Sequence, residues 1–198
     1  MATKLPFPLE NWTRTKQLGV LMHPKYRQLL GSLWKQDMLP MFSMSRWDLS
    51  KTNLPKFNAE GLFAPGINFT LANLTQSNFD HAFLWAAIFN KATLQKSALN
   101  RAILRESRAE GANLKGSFLV GASCTKARWA GANLQDACLS HASFEGADLR
   151  RADMRGAVCT NTDFKGADLS GASLQGADLS RIWFDDKTKW PVGFQPPV

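Results

Sequence analysis

A five-residue period runs through this chain without a break. From Trp47 to Asp186 the sequence divides into 28 pentads with no insertion or deletion, from Trp47-Asp48-Leu49-Ser50-Lys51 to Ile182-Trp183-Phe184-Asp185-Asp186. The central residue of each pentad, position i, is always Leu, Phe, Met, Trp, Cys or Ala. With 44% apolar residues overall, chance would produce that column with a probability on the order of 10⁻¹⁰. A period of five fits neither the 3.6 residues of a helical turn nor the two of a strand, so the chain must turn once per pentad.

Two further columns fix the register. Position i−2 is Ala, Ser or Thr in 23 of the 28 pentads, the exceptions being Trp47, Phe57, Leu62, Ile67 and Ile182. A column of small side chains signals tight space, so i−2 is expected to point inward beside i. Eleven of the 14 glycines fall at i+2, where a corner would use the backbone freedom of glycine. Ala109 and Trp129 occupy i positions 20 residues apart, and a small and a large side chain stacked in successive coils can compensate in volume.

Segments such as Ala147-Asp148-Leu149-Arg150-Arg151, Ala167-Asp168-Leu169-Ser170-Gly171 and Ala177-Asp178-Leu179-Ser180-Arg181 resemble the A-(D/N)-L-x-x unit of the pentapeptide-repeat family. The resemblance covers 140 of the 198 residues. It implies an all-β solenoid, a right-handed quadrilateral β-helix with four pentads per coil, i and i−2 inside and the other three positions outside. Twenty-eight pentads then make about seven coils, a rod roughly 34 Å long at about 4.8 Å per coil.

The flanks break the period. Residues 1–46 form a basic extension with seven Lys and Arg against two acids, and residues 187–198 a short tail containing Trp190, Pro191, Phe194, Pro196 and Pro197. An open solenoid end needs a cover for its unpaired strand edge. Residues 24–38 place Tyr26, Leu29, Leu30, Leu33, Trp34 and Met38 on one side of an expected amphipathic α-helix, which would cap the first coil. Its basic character also suits an acidic partner or a membrane surface. The longest apolar run, Ala82 to Phe89, is far below the roughly 20 residues of a spanning helix, and no exported leader is recognisable. Three cysteines without metal-ligand spacing suit reduced thiols in a cytoplasmic protein.

No catalytic constellation emerges. His81 and His141 share a corner column but lie three coils apart, about 14 Å, too far to share a metal. Cys124 and Cys159 occupy core positions, and the glycines follow the corners rather than forming a phosphate loop. The reading is therefore of no enzyme, no cofactor and no metal site.

The outer surface is more telling. On the third face, Ala98, Phe118, Cys138 and Val158 form an apolar column at i−1, a position usually polar in this chain, with Val120 beside it. This stripe is the first candidate for binding a protein partner or a second copy in a homodimer. A second patch joins Phe63, Phe83, Trp85 and Ile103 on the fourth face, with Leu71 and Ile88 around the corner. Arg108, Arg128, Arg150 and Arg151 make a basic patch, but Asp148, Asp153 and Asp168 interrupt it, so nucleic acid is not the expected partner. The sequence thus points to a non-enzymatic interaction or scaffold module. The alternative is the topoisomerase-protecting branch of the family, whose members resemble DNA in shape and negative charge; most of the net charge of +8 belongs to residues 1–46, but the rod with its tail still carries +3, which disfavours it.

Overall fold

The computed structural model describes residues 44–197. Within them each i−1 residue pairs in parallel with the i−1 residue 20 positions on, from Asp48↔Asn68 to Asp163↔Trp183. Twenty residues hold four pentads, so the coil has four sides. Face 1 carries the i−1 column Asp48, Asn68, Ile88, Arg108, Arg128, Asp148, Asp168; face 2 begins at Asn53, face 3 at Asn58 and face 4 at Phe63. The backbone explains why one pentad makes one side. In the unit around Leu49, the Leu49 N–H donates to Asn68 O (2.7 Å) and the Lys51 N–H to Thr70 O (2.8 Å), while Thr52 N–H closes the corner on Leu49 O (3.4 Å). These bonds recur coil after coil and tie up most backbone amides.

Every corner from Arg46 to Arg181 has its i+2 residue at positive φ, between 54° and 71°. This is the left-handed region, which a β-turn of the type II class demands at its third residue. Eleven of the corners carry glycine and 17 do not, Lys91, Glu106 and His141 among them. The glycine column of the sequence is therefore the low-strain subset of a conformation imposed everywhere.

Inside the rod, i and i−2 side chains are buried in nearly every pentad. Phe69 and Phe89 stack at 5.4 Å on face 1, and Phe79 meets both edge-on from face 3. Farther along, Trp129 lies over the small Ala109, both 1% exposed, and touches Phe144 edge-on at 5.5 Å. The indole N–H of Trp129 donates to Ser107 Oγ at 3.0 Å, so the one polar atom of this side chain finds a partner in the i−2 column. Near the start of the rod, where large and small exchange places, Leu62 and Ile67 are buried at i−2 above Ala59 and Ala64, while Phe57 is half-buried.

Both ends differ from the strict period. Repeat geometry is already present before Trp47: Met44 is buried, its N–H donates to Phe63 O, and Arg46 forms a left-handed corner. At the other end the last ladder step is Asp168↔Lys189, 21 residues instead of 20, so pairing reaches into the segment expected to be tail. The extra residue is accommodated by Thr188, whose hydroxyl contacts Phe164 O and Asp185 Oδ1, each at 3.0 Å. Phe184, the last central residue, is 37% exposed, and Trp190 packs between it and Phe164 before touching Phe194. The expected helix over residues 24–38 lies outside the described residues.

Candidate interaction surface

Where it carries Asn or Asp, the i−1 column has a structural task. Its Asn or Asp Oδ1 accepts the N–H of i+1, two residues on, as at Asp48, Asn73, Asn133, Asp148 and Asp168. This local turn satisfies the pentad amide left over by the ladder. An apolar residue at i−1 gives that bond up. Face 3 does so for four coils running, and Ala98↔Phe118, Phe118↔Cys138 and Cys138↔Val158 are direct ladder neighbours.

In the first two of these coils the loss is offset by a relay at i+1. Asp80 Oδ1 accepts from Asn100 N–H (2.7 Å), and Asn100 Oδ1 accepts from Val120 N–H (3.0 Å). The side chain one coil earlier thus replaces the missing i−1 oxygen. Sequence reasoning missed Asp80 and Asn100; the signal would have been amide or acid side chains at i+1 directly before an apolar i−1 residue. The outcome is an uncharged strip from Ala98 to Thr160 at both i−1 and i+1. Phe118 is 49%, Val158 39% and Val120 36% exposed, whereas Cys138 and Ala98 are half-buried. The five residues are therefore together, on one side, and accessible.

The second patch is less open. Phe63 and Phe83 stack at 5.0 Å and continue to Ile103 in the face 4 ladder. Phe63 and Trp85 are exposed, but Phe83 and Ile103 are half-buried. Two of the four patch arginines, Arg108 and Arg150, pair with acids. Arg150 binds Asp148 with two bonds (2.8 and 2.7 Å), and Arg155 repeats this on Asp153 (2.9 and 2.7 Å). Arg108 lies 3.4 Å from Glu110. The Arg155 guanidinium holds the Asp153 carboxyl down to about 2, and Arg150 lowers Asp148 in the same way. Arg108 and Arg128 are ladder neighbours, followed by Asp148, and Arg151 sits at an exposed corner. The basic patch is thus a face of mixed charge, two arginines followed by two aspartates along its i−1 column.

His81 and His141 project from exposed corners. Among the described residues no group of three or more His, Cys, Asp or Glu is arranged to hold a metal ion, and no helix is long and apolar enough to cross a membrane. Cys124 and Cys159 are buried, and burial pushes both thiols up, Cys159 to about 12.

The family model for pentapeptide repeats matches this chain in eight copies, over residues 67–105, 110–146 and 142–181, more than half of its length. The chain belongs to the pentapeptide repeat family. Its solenoid is accordingly the right-handed quadrilateral β-helix. Similar solved structures include the pentapeptide repeat protein Rfr23 from the cyanobacterium Cyanothece 51142, 21% identical, with 82% of this chain and 99% of that chain covered at a TM-score of 0.36. The pentapeptide repeat protein alr5209 from Nostoc PCC 7120 is 35% identical over 50% of this chain and 77% of that one, with a TM-score of 0.26. QnrB1, a plasmid-mediated fluoroquinolone resistance protein, is 15% identical, covering 73% and 91% at 0.38. No curated protein sequence matches. None of these likenesses bears on what this pentapeptide repeat rod binds.

Proposed function

We propose that this pentapeptide repeat protein is a non-enzymatic interaction module that docks a protein partner on the apolar strip of face 3. The observation that carries the reading is the unbroken column Ala98, Phe118, Cys138 and Val158, outward-facing and free of charge over four coils. Such a strip fills no core and forgoes the local turn bond of the i−1 carboxamides, a combination that solubility alone would not favour. Phe118 is its largest member and the natural anchor. Arg108 and Arg150 on face 1 pair with neighbouring acids, which makes that face a poorer docking surface, and a rod whose residues 47–198 carry a net charge of +3 is a poor mimic of DNA. The test is capture of partner proteins by wild type and by Phe118→Glu: binding lost in the variant supports face 3, whereas binding kept there but lost in Arg108→Glu/Arg128→Glu moves the interface to face 1.

The rod is further proposed to have seven coils, with residues 24–38 forming the helix that covers its N-terminal edge. The amphipathic pattern of that segment and the backbone edge left at the first coil support this reading.

A further inference from the structure

Face 3 can be laid out as a series of transverse rows. Each row holds the preceding corner residue, the i−1 residue, the i+1 residue and the next corner residue. The row at the centre of the strip is Gly116, Phe118, Val120, Gly121. One row back lie Lys96, Ala98, Asn100 and Arg101; one row forward lie Asp136, Cys138, Ser140 and His141. The ladder bonds Ala98↔Phe118 and Phe118↔Cys138 fix this order.

We propose that the occupant of face 3 is a second copy of this chain, packed antiparallel about a two-fold axis through the Phe118 row. The proposal rests on the docking reading above and supplies its partner. Under that axis the Phe118 row meets itself. The flanking corners, Gly116 and Gly121, carry no side chains of their own, the Lys96 and Arg101 stems of the preceding row lying against them, and Phe118 and Val120 each oppose their own counterpart.

The neighbouring rows exchange. Lys96 then faces the second copy's Asp136, and Asp136 faces the second copy's Lys96, giving two opposite-charge contacts related by symmetry. Ala98 faces Cys138, Asn100 faces Ser140, and Arg101 faces His141. The next exchange sets Asn78 and Asp80 against Val158 and Thr160. The outermost brings Lys56 and Glu60 beside Asp178 and Arg181. No row sets two acids, or two Lys or Arg, directly opposite one another.

Shifting the axis by half a coil destroys this match, because Lys96 would then face Gly156. Asp136 is available for the contact: its carboxylate is 63% exposed, and its bond to Lys115 is a long surface pair at 3.6 Å.

The size of the contact sets its strength. Rows 58 to 178 span about 29 Å at about 4.8 Å per coil, and a five-residue side is roughly 16 Å wide. The two copies together bury on the order of 900 Å², below the size of stable specific interfaces and in the range of weak, transient ones, so the association is expected to be reversible.

Sedimentation velocity on the full chain from about 1 to about 200 µM tests this. The expected result is a reversible monomer–dimer equilibrium that Phe118→Glu abolishes. Lys96→Asp and Asp136→Lys each weaken it by about tenfold or more, and the combined double variant regains near wild-type association. Circular dichroism shows whether each variant keeps its fold. A wild type that stays monomeric over this range overturns the second copy as occupant, while loss of a captured partner in Phe118→Glu would still uphold face 3 as the docking surface. A dimer indifferent to Phe118→Glu, or a double variant no better than either single one, overturns the proposed packing.

Discussion

Trp129 is the largest fully buried side chain, and its replacement tests the idea that the core is filled by compensation along a face. Trp129→Ala removes the indole from a site closed to solvent, a change that costs about 3–5 kcal/mol. It also strands the Ser107 hydroxyl that accepts the indole N–H, adding about 1 kcal/mol. The expected loss of roughly 4–6 kcal/mol lowers the melting temperature by about 10–20 °C in a domain of this size. Ala109 supplies the control, because it lies under Trp129 one coil earlier. In wild type, Ala109→Leu overpacks the face and costs about 1–3 kcal/mol. In the Trp129→Ala protein the same leucine enters the vacated space and regains about 1–2 kcal/mol. Urea and thermal denaturation of the four proteins complete a double-mutant cycle. If Ala109→Leu destabilised both backgrounds equally, the two sites would be independent and the compensation reasoning would be wrong.

Other consequences follow from the corners, the ion pairs and the ends. Gly131→Ala meets no atom within 4 Å, so its cost of about 1 kcal/mol comes from the left-handed φ of 66° alone; Glu106→Gly, at φ 58°, stabilises by about 0.5–1 kcal/mol. A urea midpoint that moved the other way in either variant would refute the strain assignment. The Asp153–Arg155 pair lowers a carboxyl pKa to about 2, so its contribution is fully present above the unfolded value near 4 and disappears as pH falls from about 4 to about 2. Arg155→Ala should flatten that part of the stability–pH curve by no more than about 1 kcal/mol, as befits an exposed pair. Removing residues 1–43 uncovers the first coil edge if residues 24–38 cap it, and light scattering should then show association through that end; an unchanged, equally stable monomer would make the extension a free arm.

The period of five made the four-sided coil, the inward columns and the corner column legible before any coordinates, because each coil imposes the same geometry on every fifth residue. Trp129 over Ala109 and the apolar column through Phe118 could also be placed, since ladder neighbours are 20 residues apart. What escaped was the bonding that no period reports. The left-handed corners at Lys91 or Glu106 are invisible, because the fold overrides their propensity. The Asp80–Asn100–Val120 relay depends on side chains reaching along the rod rather than around the coil. The chain ends are hard to read in the sequence for a related reason: Met44 follows the pattern with a single side chain, and a one-residue insertion before Lys189 hides its place in the ladder.

Phe118 and Phe83 offer a matched comparison for the docking surface. Both are outward phenylalanines in i−1 ladders, one on face 3 and the other on face 4. Calorimetric titration of the bound protein, whether a captured partner or the chain itself, should show Phe118→Glu weakening association by more than about 2 kcal/mol, with Phe83→Glu close to wild type. Full affinity in a folded Phe118→Glu protein, with the loss falling on Phe83→Glu instead, would place the interface on face 4 and contradict the account.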